Sequence, residues 1–134
     1  MESSLDHVQV NVRVENMDFY KEFMAFLGWN TILEMEGYFG AGGSSAASLW
    51  FAADVKDVPS DYDAPGLNHV GIAVFRQSLV DETIAWLKER GIEGLFETPR
   101  HREVPGREGD TYYQVMFESP DGALFEVLYI GPKS

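Results

Sequence analysis

Two histidines and one glutamate stand where their side chains could share a single site. His7 and His69 each lie near the start of a run of alternating apolar residues, L-x-H-V-x-V-x-V and L-x-H-V-x-I-x-V. Glu126 lies in the middle of an otherwise apolar run near the end of the chain. Burying an unpaired carboxylate is costly, so Glu126 needs a partner if it faces inward. Two imidazoles and one carboxylate can form a facial set of metal ligands that leaves other positions open for water and substrate.

The two histidine runs belong to a longer internal repeat. Each run leads into a helical spacing of apolar residues, over 18–27 and over 81–90, and each predicted helix ends before a glycine. Strand patterns then follow in both halves of the chain. They cover 30–36, 38–41 and 47–53 in the first half, and 93–98, 111–118 and 123–130 in the second. The order β-α-β-β-β therefore occurs twice.

This repeat predicts an α+β fold of two tandem βαβββ modules that form a curved mixed sheet around a central cleft. The modules cover about 5–53 and 67–130, and the acidic, proline-containing segment 54–66 reads as the linker between them. A half with one helix cannot cover both faces of its sheet, so we expect the halves to form one domain over 1–134. The alternative is a single α+β domain in which the similarity between the two halves arose by chance.

The phase of the strands indicates which side chains line the cleft, because alternate residues of a strand share a face. Apolar residues at alternate positions of the first strand predict its packing face, so His7 and Gln9 fall on the opposite face. In the second half His69 falls beside the small Gly71. A polar strand face must meet water, a ligand or a metal. Gln9 is therefore a candidate substrate-binding residue.

The segment 99–110 carries three arginines and one histidine and is predicted to be a loop over the mouth of the cleft. Arginine binds anionic groups through two parallel hydrogen bonds, and Arg102 is the candidate for such a contact with substrate. His101 is a candidate catalytic base. The alternatives are that the arginines balance surface acids and that His101 is a solvated loop residue.

Two aromatic positions are further candidates. Tyr112 and Tyr113 lie on opposite faces of one predicted strand, so only one of them faces the cleft, and Tyr113 is the candidate for proton transfer. The phase of Trp50 places its side chain beside the site, where it would contact substrate. Trp29 and Trp86 are most simply packing residues.

The charge and composition of the chain exclude several function classes. Asp and Glu number 22 against ten Lys and Arg, and the net charge of −12 disfavours binding to nucleic acid or anionic lipid. The sequence has no cysteine, which excludes disulfides, thiolate metal sites and cysteine nucleophiles. No apolar run approaches the ~20 residues of a membrane span. We therefore expect a cytoplasmic protein whose partner is a small molecule.

The sequence resembles the vicinal-oxygen-chelate superfamily, which includes glyoxalase I, extradiol dioxygenases, thiol transferases and bleomycin-resistance proteins. The resemblance runs over 5–130 and rests on the two histidine strands, on F-Y and L-G in the first helix, and on the closing segment F-E-S-P-D-G-A-L-F-E-V. It implies that His7, His69 and Glu126 bind one divalent transition metal, which is Fe²⁺, Mn²⁺, Ni²⁺, Co²⁺ or Zn²⁺. It also implies a homodimer.

One departure bears on function. The fourth metal ligand of glyoxalase I would fall on Trp50, so the resemblance implies a three-ligand site, closer to the dioxygenases and thiol transferases. Two functions stay open. The first is a metal-dependent enzyme, dioxygenase-like or a glyoxalase-like lyase, whose small substrate chelates the metal through neighbouring oxygens. The second is a metal-free protein of the bleomycin-resistance type that binds or sequesters a small molecule. The site lies within one chain or is shared across an exchanged dimer.

Overall fold

A computed structural model describes residues 1–134 and contains eight strands and two α-helices. In chain order these are β1 (His7–Asn11), α1 (Met17–Phe26), β2 (Asn30–Met35), β3 (Tyr38–Gly42), β4 (Ser48–Ala52), β5 (His69–Ala73), α2 (Ser78–Lys88), β6 (Leu95–Glu103), β7 (Asp110–Glu118) and β8 (Leu124–Pro132). The predicted α+β fold of two tandem βαβββ modules is confirmed. Neither helix is long and apolar enough to cross a membrane.

Each module folds as a four-stranded mixed sheet with the same connectivity. The strand order is β1-β4-β3-β2 in the first sheet and β5-β8-β7-β6 in the second. The first strand of each module is parallel to the last, and the other neighbours are antiparallel. The chain divides into two compact units, 1–59 (unit 1) and 60–134 (unit 2), and this boundary falls inside the segment predicted as a linker.

The core of unit 1 lies between α1 and one face of its sheet. Phe51 of β4 has no exposed surface and stacks on Tyr20 of α1, with 4.8 Å between ring centroids. Val10 of β1 is buried on the same side, and His7 and Gln9 at alternate positions are exposed. The period of two residues in a strand explains this separation.

Unit 2 follows the same plan, with α2 packed on β7 and β8. Ile72 of β5 is buried while His69 and Gly71 are exposed, which repeats the burial pattern of β1. Val115 of β7 and Val127 of β8 are fully buried. The helix begins at Ser78, earlier than the predicted start.

The strand β6 corrects the predicted loop at 99–110. It continues to Glu103, so His101 and Arg102 are strand residues paired with β7, and the connecting turn is confined to 104–109. The register shifts between Leu95 and Arg100, and Pro99 lies in this irregular stretch. Proline has no N–H to donate to a strand ladder, so pairing is interrupted there and resumes beyond it.

Candidate metal and substrate site

The sheet of unit 2 presents one face that carries polar side chains. Paired residues of neighbouring strands share a face, and the register places Gln114 opposite Arg100 and Tyr112 opposite Arg102. Glu126 of β8 lies beside Gly71 of β5, on the same side. We call this surface the polar face of unit 2, and its members are His69, Arg100, Arg102, Tyr112, Gln114 and Glu126.

Glu126 is the centre of this face. Its side chain is buried, with 3% of its surface exposed, and both carboxylate oxygens have partners. Oε1 accepts hydrogen bonds from the Tyr112 hydroxyl at 2.5 Å and from Nε2 of Gln114 at 3.0 Å. Oε2 lies 3.1 Å from Nε2 of His69. The expectation that an inward glutamate needs partners is met by these three side chains.

His69 is held in the orientation that suits a metal ligand. Its Nδ1 lies 2.7 Å from Oδ1 of Asn68, and Nδ2 of Asn68 donates to the carbonyl of Tyr62 at 3.0 Å. An amide oxygen only accepts hydrogen bonds, so Nδ1 of His69 carries a proton. Nε2 is then the ring nitrogen that faces Oε2 of Glu126: when protonated it donates to this oxygen, and without that proton its lone pair can bind a metal placed between the two side chains.

His7 in unit 1 has the same local arrangement. Its Nδ1 lies 2.7 Å from a carboxylate oxygen of Asp6, the preceding residue. In both modules an oxygen-bearing side chain directly before the histidine therefore engages Nδ1 and leaves Nε2 available. The sequence contains this signal as Asp-His and Asn-His at the two strand starts.

The two adjacent tyrosines of β7 point to opposite faces. Tyr112 lies on the polar face, where burial and its hydrogen bond to Glu126 raise the pKa of its hydroxyl above the usual value. Its phenol is therefore protonated near neutral pH and donates. Tyr113 faces α2 and donates to a carboxylate oxygen of Asp81 at 2.6 Å. This placement corrects the choice of Tyr113 for proton transfer: adjacent residues of a strand point to opposite faces, and the tyrosine on the polar face is Tyr112.

Tyr113 has a stabilising role that can be measured. Burial and the bond to Asp81 raise the pKa of Tyr113 to about 12, against about 10 in an unfolded chain. Because the folded-state pKa is raised, the stabilisation is fully present below pH ~10 and is lost as the pH rises through ~12. We expect Tyr113→Phe to lower the free energy of unfolding by about 1 kcal/mol at pH 7.

Urea unfolding of wild type and Tyr113→Phe at several pH values tests this. The difference between them should shrink as the pH rises above about 10, where the wild-type hydroxyl begins to titrate. Asp81→Asn is the matched control, because its amide oxygen still accepts the hydrogen bond from the Tyr113 hydroxyl while the negative charge of Asp81 is removed. A difference that is the same at pH 7 and pH 11 would contradict the assignment.

His101 and Arg102 are separated by the same alternation. The ring of His101 stacks on Tyr113, with 4.3 Å between centroids, and its Nδ1 lies 2.8 Å from Oγ1 of Thr111. His101 is therefore on the opposite face from Glu126, and the structure does not bring it to the predicted site. Arg102 is exposed on the polar face, where its positive charge acts on Tyr112.

Gln114 is a member of the polar face that the sequence did not indicate as a candidate, and Arg100 is one of the three arginines of 99–110. Gln114 is 3% exposed, and its Oε1 has no hydrogen-bond partner. Arg100, directly opposite in the ladder, has a buried Nε without a partner. The alternation with Tyr112 signals the face of Gln114, but its contact with Glu126 depends on the pairing of β7 with β8.

In unit 1, Trp50 lies on the sheet face opposite α1. Its indole stacks on Tyr38 at 5.4 Å between centroids, and its Nε1 donates to Oγ of Ser48 at 2.9 Å. Gln9 pairs with Trp50 in the ladder and donates to the side chain of Asn11 at 3.3 Å. The side chains of Gln9 and Trp50 therefore lie together on one face of unit 1.

Neither unit by itself contains three His, Asp or Glu side chains grouped so that they could hold a metal ion. Unit 2 brings two of the three predicted ligands together, His69 and Glu126, and unit 1 carries the third, His7.

The sequence matches the family model for the Glyoxalase/Bleomycin resistance protein/Dioxygenase superfamily over residues 4–127. The chain belongs to this superfamily. The match covers both modules and includes His7, His69 and Glu126. A search of curated proteins finds no match to this chain.

Solved structures share the superfamily fold of this chain. A Bacillus halodurans protein with a provisional glyoxalase assignment has a TM-score of 0.76 and 24% identity, and the alignment covers 93% of this chain and 94% of that one. A glyoxalase/bleomycin resistance protein from Albidiferax ferrireducens has a TM-score of 0.73 and 19% identity, and the alignment covers 95% of this chain and 99% of that one. The fosfomycin resistance protein FosX of Listeria monocytogenes, solved with Mn(II) and sulfate, has a TM-score of 0.64 and 18% identity, and the alignment covers 96% of this chain and 91% of that one. These likenesses show the fold.

Proposed function

We propose that this superfamily member is a divalent-metal-dependent enzyme that acts on a small molecule bound through two neighbouring oxygens. The observation that carries the proposal is the pairing of His69 Nε2 with Glu126 Oε2 at 3.1 Å, on a carboxylate that is buried and held in place. In the proposal His7 is the third ligand, from the same chain or from a second copy of it in a homodimer.

The residues of unit 2 fit a metal ion. Tyr112 and Gln114 both donate to Oε1 of Glu126, so Oε2 keeps its lone pairs on the side that faces His69. Imidazole and carboxylate together suit Fe²⁺, Mn²⁺, Ni²⁺, Co²⁺ or Zn²⁺. The net charge of −12 favours the approach of any cation. The Mn(II) complex of FosX supports a divalent ion in this fold.

The other residues of the polar face have distinct parts in this proposal. A bound divalent ion supplies Lewis-acid polarisation of the substrate oxygens. Tyr112 donates its hydroxyl hydrogen bond to Oε1 of Glu126, orients that carboxylate and is the candidate for proton transfer. Gln114 fixes the rotation of the Glu126 carboxylate, and Arg102 contributes a positive charge for an anionic group of the substrate. The proposed reaction is dioxygenase-like or glyoxalase-like lyase chemistry.

A second candidate function is a metal-free small-molecule binding protein. The stacked rings of Trp50 and Tyr38 in unit 1 favour it, because they offer a flat apolar surface that needs no metal to bind a ligand. Metal uptake separates the two functions.

The test is a calorimetric titration of chelator-treated full-length protein with Mn²⁺ and Ni²⁺. We expect one equivalent of metal per chain. His7→Ala and His69→Ala should each weaken binding by at least about 100-fold, since loss of a ligand should exceed the 10–100-fold cost of losing a supporting residue. His101→Ala is the matched control, because His101 is the remaining histidine and lies away from Glu126. A wild-type protein that takes up neither ion would contradict the metal-dependent function and favour the metal-free binding protein.

A further inference from the structure

The two modules carry different chemistry at one equivalent position. In each module the first strand is parallel to the last, so residues of the two sheets can be matched through the ladder. Gln9 pairs with Trp50 in unit 1, and Gly71 pairs with Glu126 in unit 2. Gln9 lies two residues after His7, and Gly71 lies two residues after His69, so the two pairs occupy equivalent positions. Trp50 is therefore the counterpart of the buried carboxylate.

The next strands of the two sheets, β3 and β7, also carry different residues at equivalent positions. Tyr38 of β3 pairs with the residue two places after Trp50, and Gln114 of β7 pairs with the residue two places after Glu126. Unit 2 thus has a hydrogen bond between Gln114 and Glu126 at 3.0 Å. At the same two positions unit 1 has stacked rings, Tyr38 and Trp50, with 5.4 Å between centroids and 27° between planes. We call these two rings the aromatic platform.

The backbone beneath the platform is shaped for the indole. Gly40 pairs with Trp50, and a Cβ on Gly40 would lie 2.4 Å from two ring carbons of Trp50. Any other residue there would displace the indole, and the counterpart in unit 2 is Met116. The indole N–H is already bonded to Ser48. The platform therefore offers ring surface with no unpaired donor on the indole.

We propose that the aromatic platform binds a planar aromatic ring of the ligand, so that the substrate class is an aromatic compound bearing neighbouring oxygens. The platform lies on the sheet face opposite α1 and is half-buried, unlike the fully buried Phe51 next to it. Ring stacking favours planar π-systems over saturated rings of the same size. The link to neighbouring oxygens rests on the proposed metal-dependent function, whereas ring binding does not.

The first experiment tests the platform without metal. Metal-free full-length protein labelled with ¹⁵N has three indole N–H resonances, from Trp29, Trp50 and Trp86, and Trp50→Phe assigns the one of interest. Phenol and cyclohexanol are matched neutral probes that differ in ring planarity. We expect phenol to shift the Trp50 resonance and cyclohexanol to leave it in place, with Trp29 and Trp86 unmoved by either. No phenol shift at Trp50, or equal shifts with both probes, would overturn the proposal.

The second experiment tests the substrate class on metal-loaded protein. Benzohydroxamate and cyclohexanecarbohydroxamate present the same two chelating oxygens on a planar and a saturated ring. We expect Trp50→Ala to weaken benzohydroxamate binding about three- to tenfold and to leave the saturated analogue unchanged; Trp86→Ala should change neither. Equal weakening of both ligands would show that the indole only supports the sheet. If the protein takes up no metal, the proposed function fails while the phenol experiment still decides the platform.

Discussion

Glu126→Gln is expected to reduce metal affinity by at least about 100-fold while leaving the metal-free protein as stable as wild type. The amide oxygen can still accept the hydrogen bonds of Tyr112 and Gln114, and the amide nitrogen can donate to Nε2 of His69. The polar face therefore stays paired, and the cost of burying a charge is removed. Only the anionic ligand is lost. Calorimetric titration with Mn²⁺ gives the affinity, and thermal unfolding in chelator gives the stability.

The control for this prediction is Glu82→Gln, which removes one negative charge from an exposed position on α2. It separates the loss of a ligand from the small change in net charge. Wild-type metal affinity in Glu126→Gln would show that Glu126 is not a ligand. A loss of metal-free stability larger than about 1 kcal/mol would show that the carboxylate has a structural role that an amide cannot fill.

Phe51→Ala is expected to lower the free energy of unfolding by about 3–5 kcal/mol. Phe51 is fully buried, and its ring stacks on Tyr20 of α1, at 4.8 Å between centroids, and on Phe39 of β3, at 6.0 Å. Truncation removes this contact surface and leaves a cavity that the sheet cannot collapse around. Urea unfolding followed by circular dichroism measures the loss.

Trp50→Ala is the informative comparison, because Trp50 directly precedes Phe51 in the same strand and the substitution removes a larger side chain. We expect it to cost less than Phe51→Ala, since the indole is half-buried and lies on the face away from α1. If the two variants lost equal stability, Trp50 would belong to the core and would not be available to a ligand.

Much of the fold could be predicted from the sequence because the signals are local and occur twice. The repeated histidine runs, the helical spacing before Gly28 and Gly91, and the strand patterns predict two βαβββ modules, and the structure and the superfamily match confirm them. The period of two residues likewise places His7 and His69 away from the packing face. Each of these inferences uses residues within one element, where backbone geometry alone sets the direction of a side chain.

The residue patterns thus predict the order of the elements, the phase of each strand and a short set of candidate ligands. They do not predict which side chains meet in the folded protein. The choice of Tyr112 over Tyr113, the bond of Gln114 to Glu126 and the indole of Trp50 over Gly40 all depend on strand register. Register joins residues that are distant along the chain, and a shift of one residue moves every side chain of a strand to the other face. No pattern within a single strand contains that information.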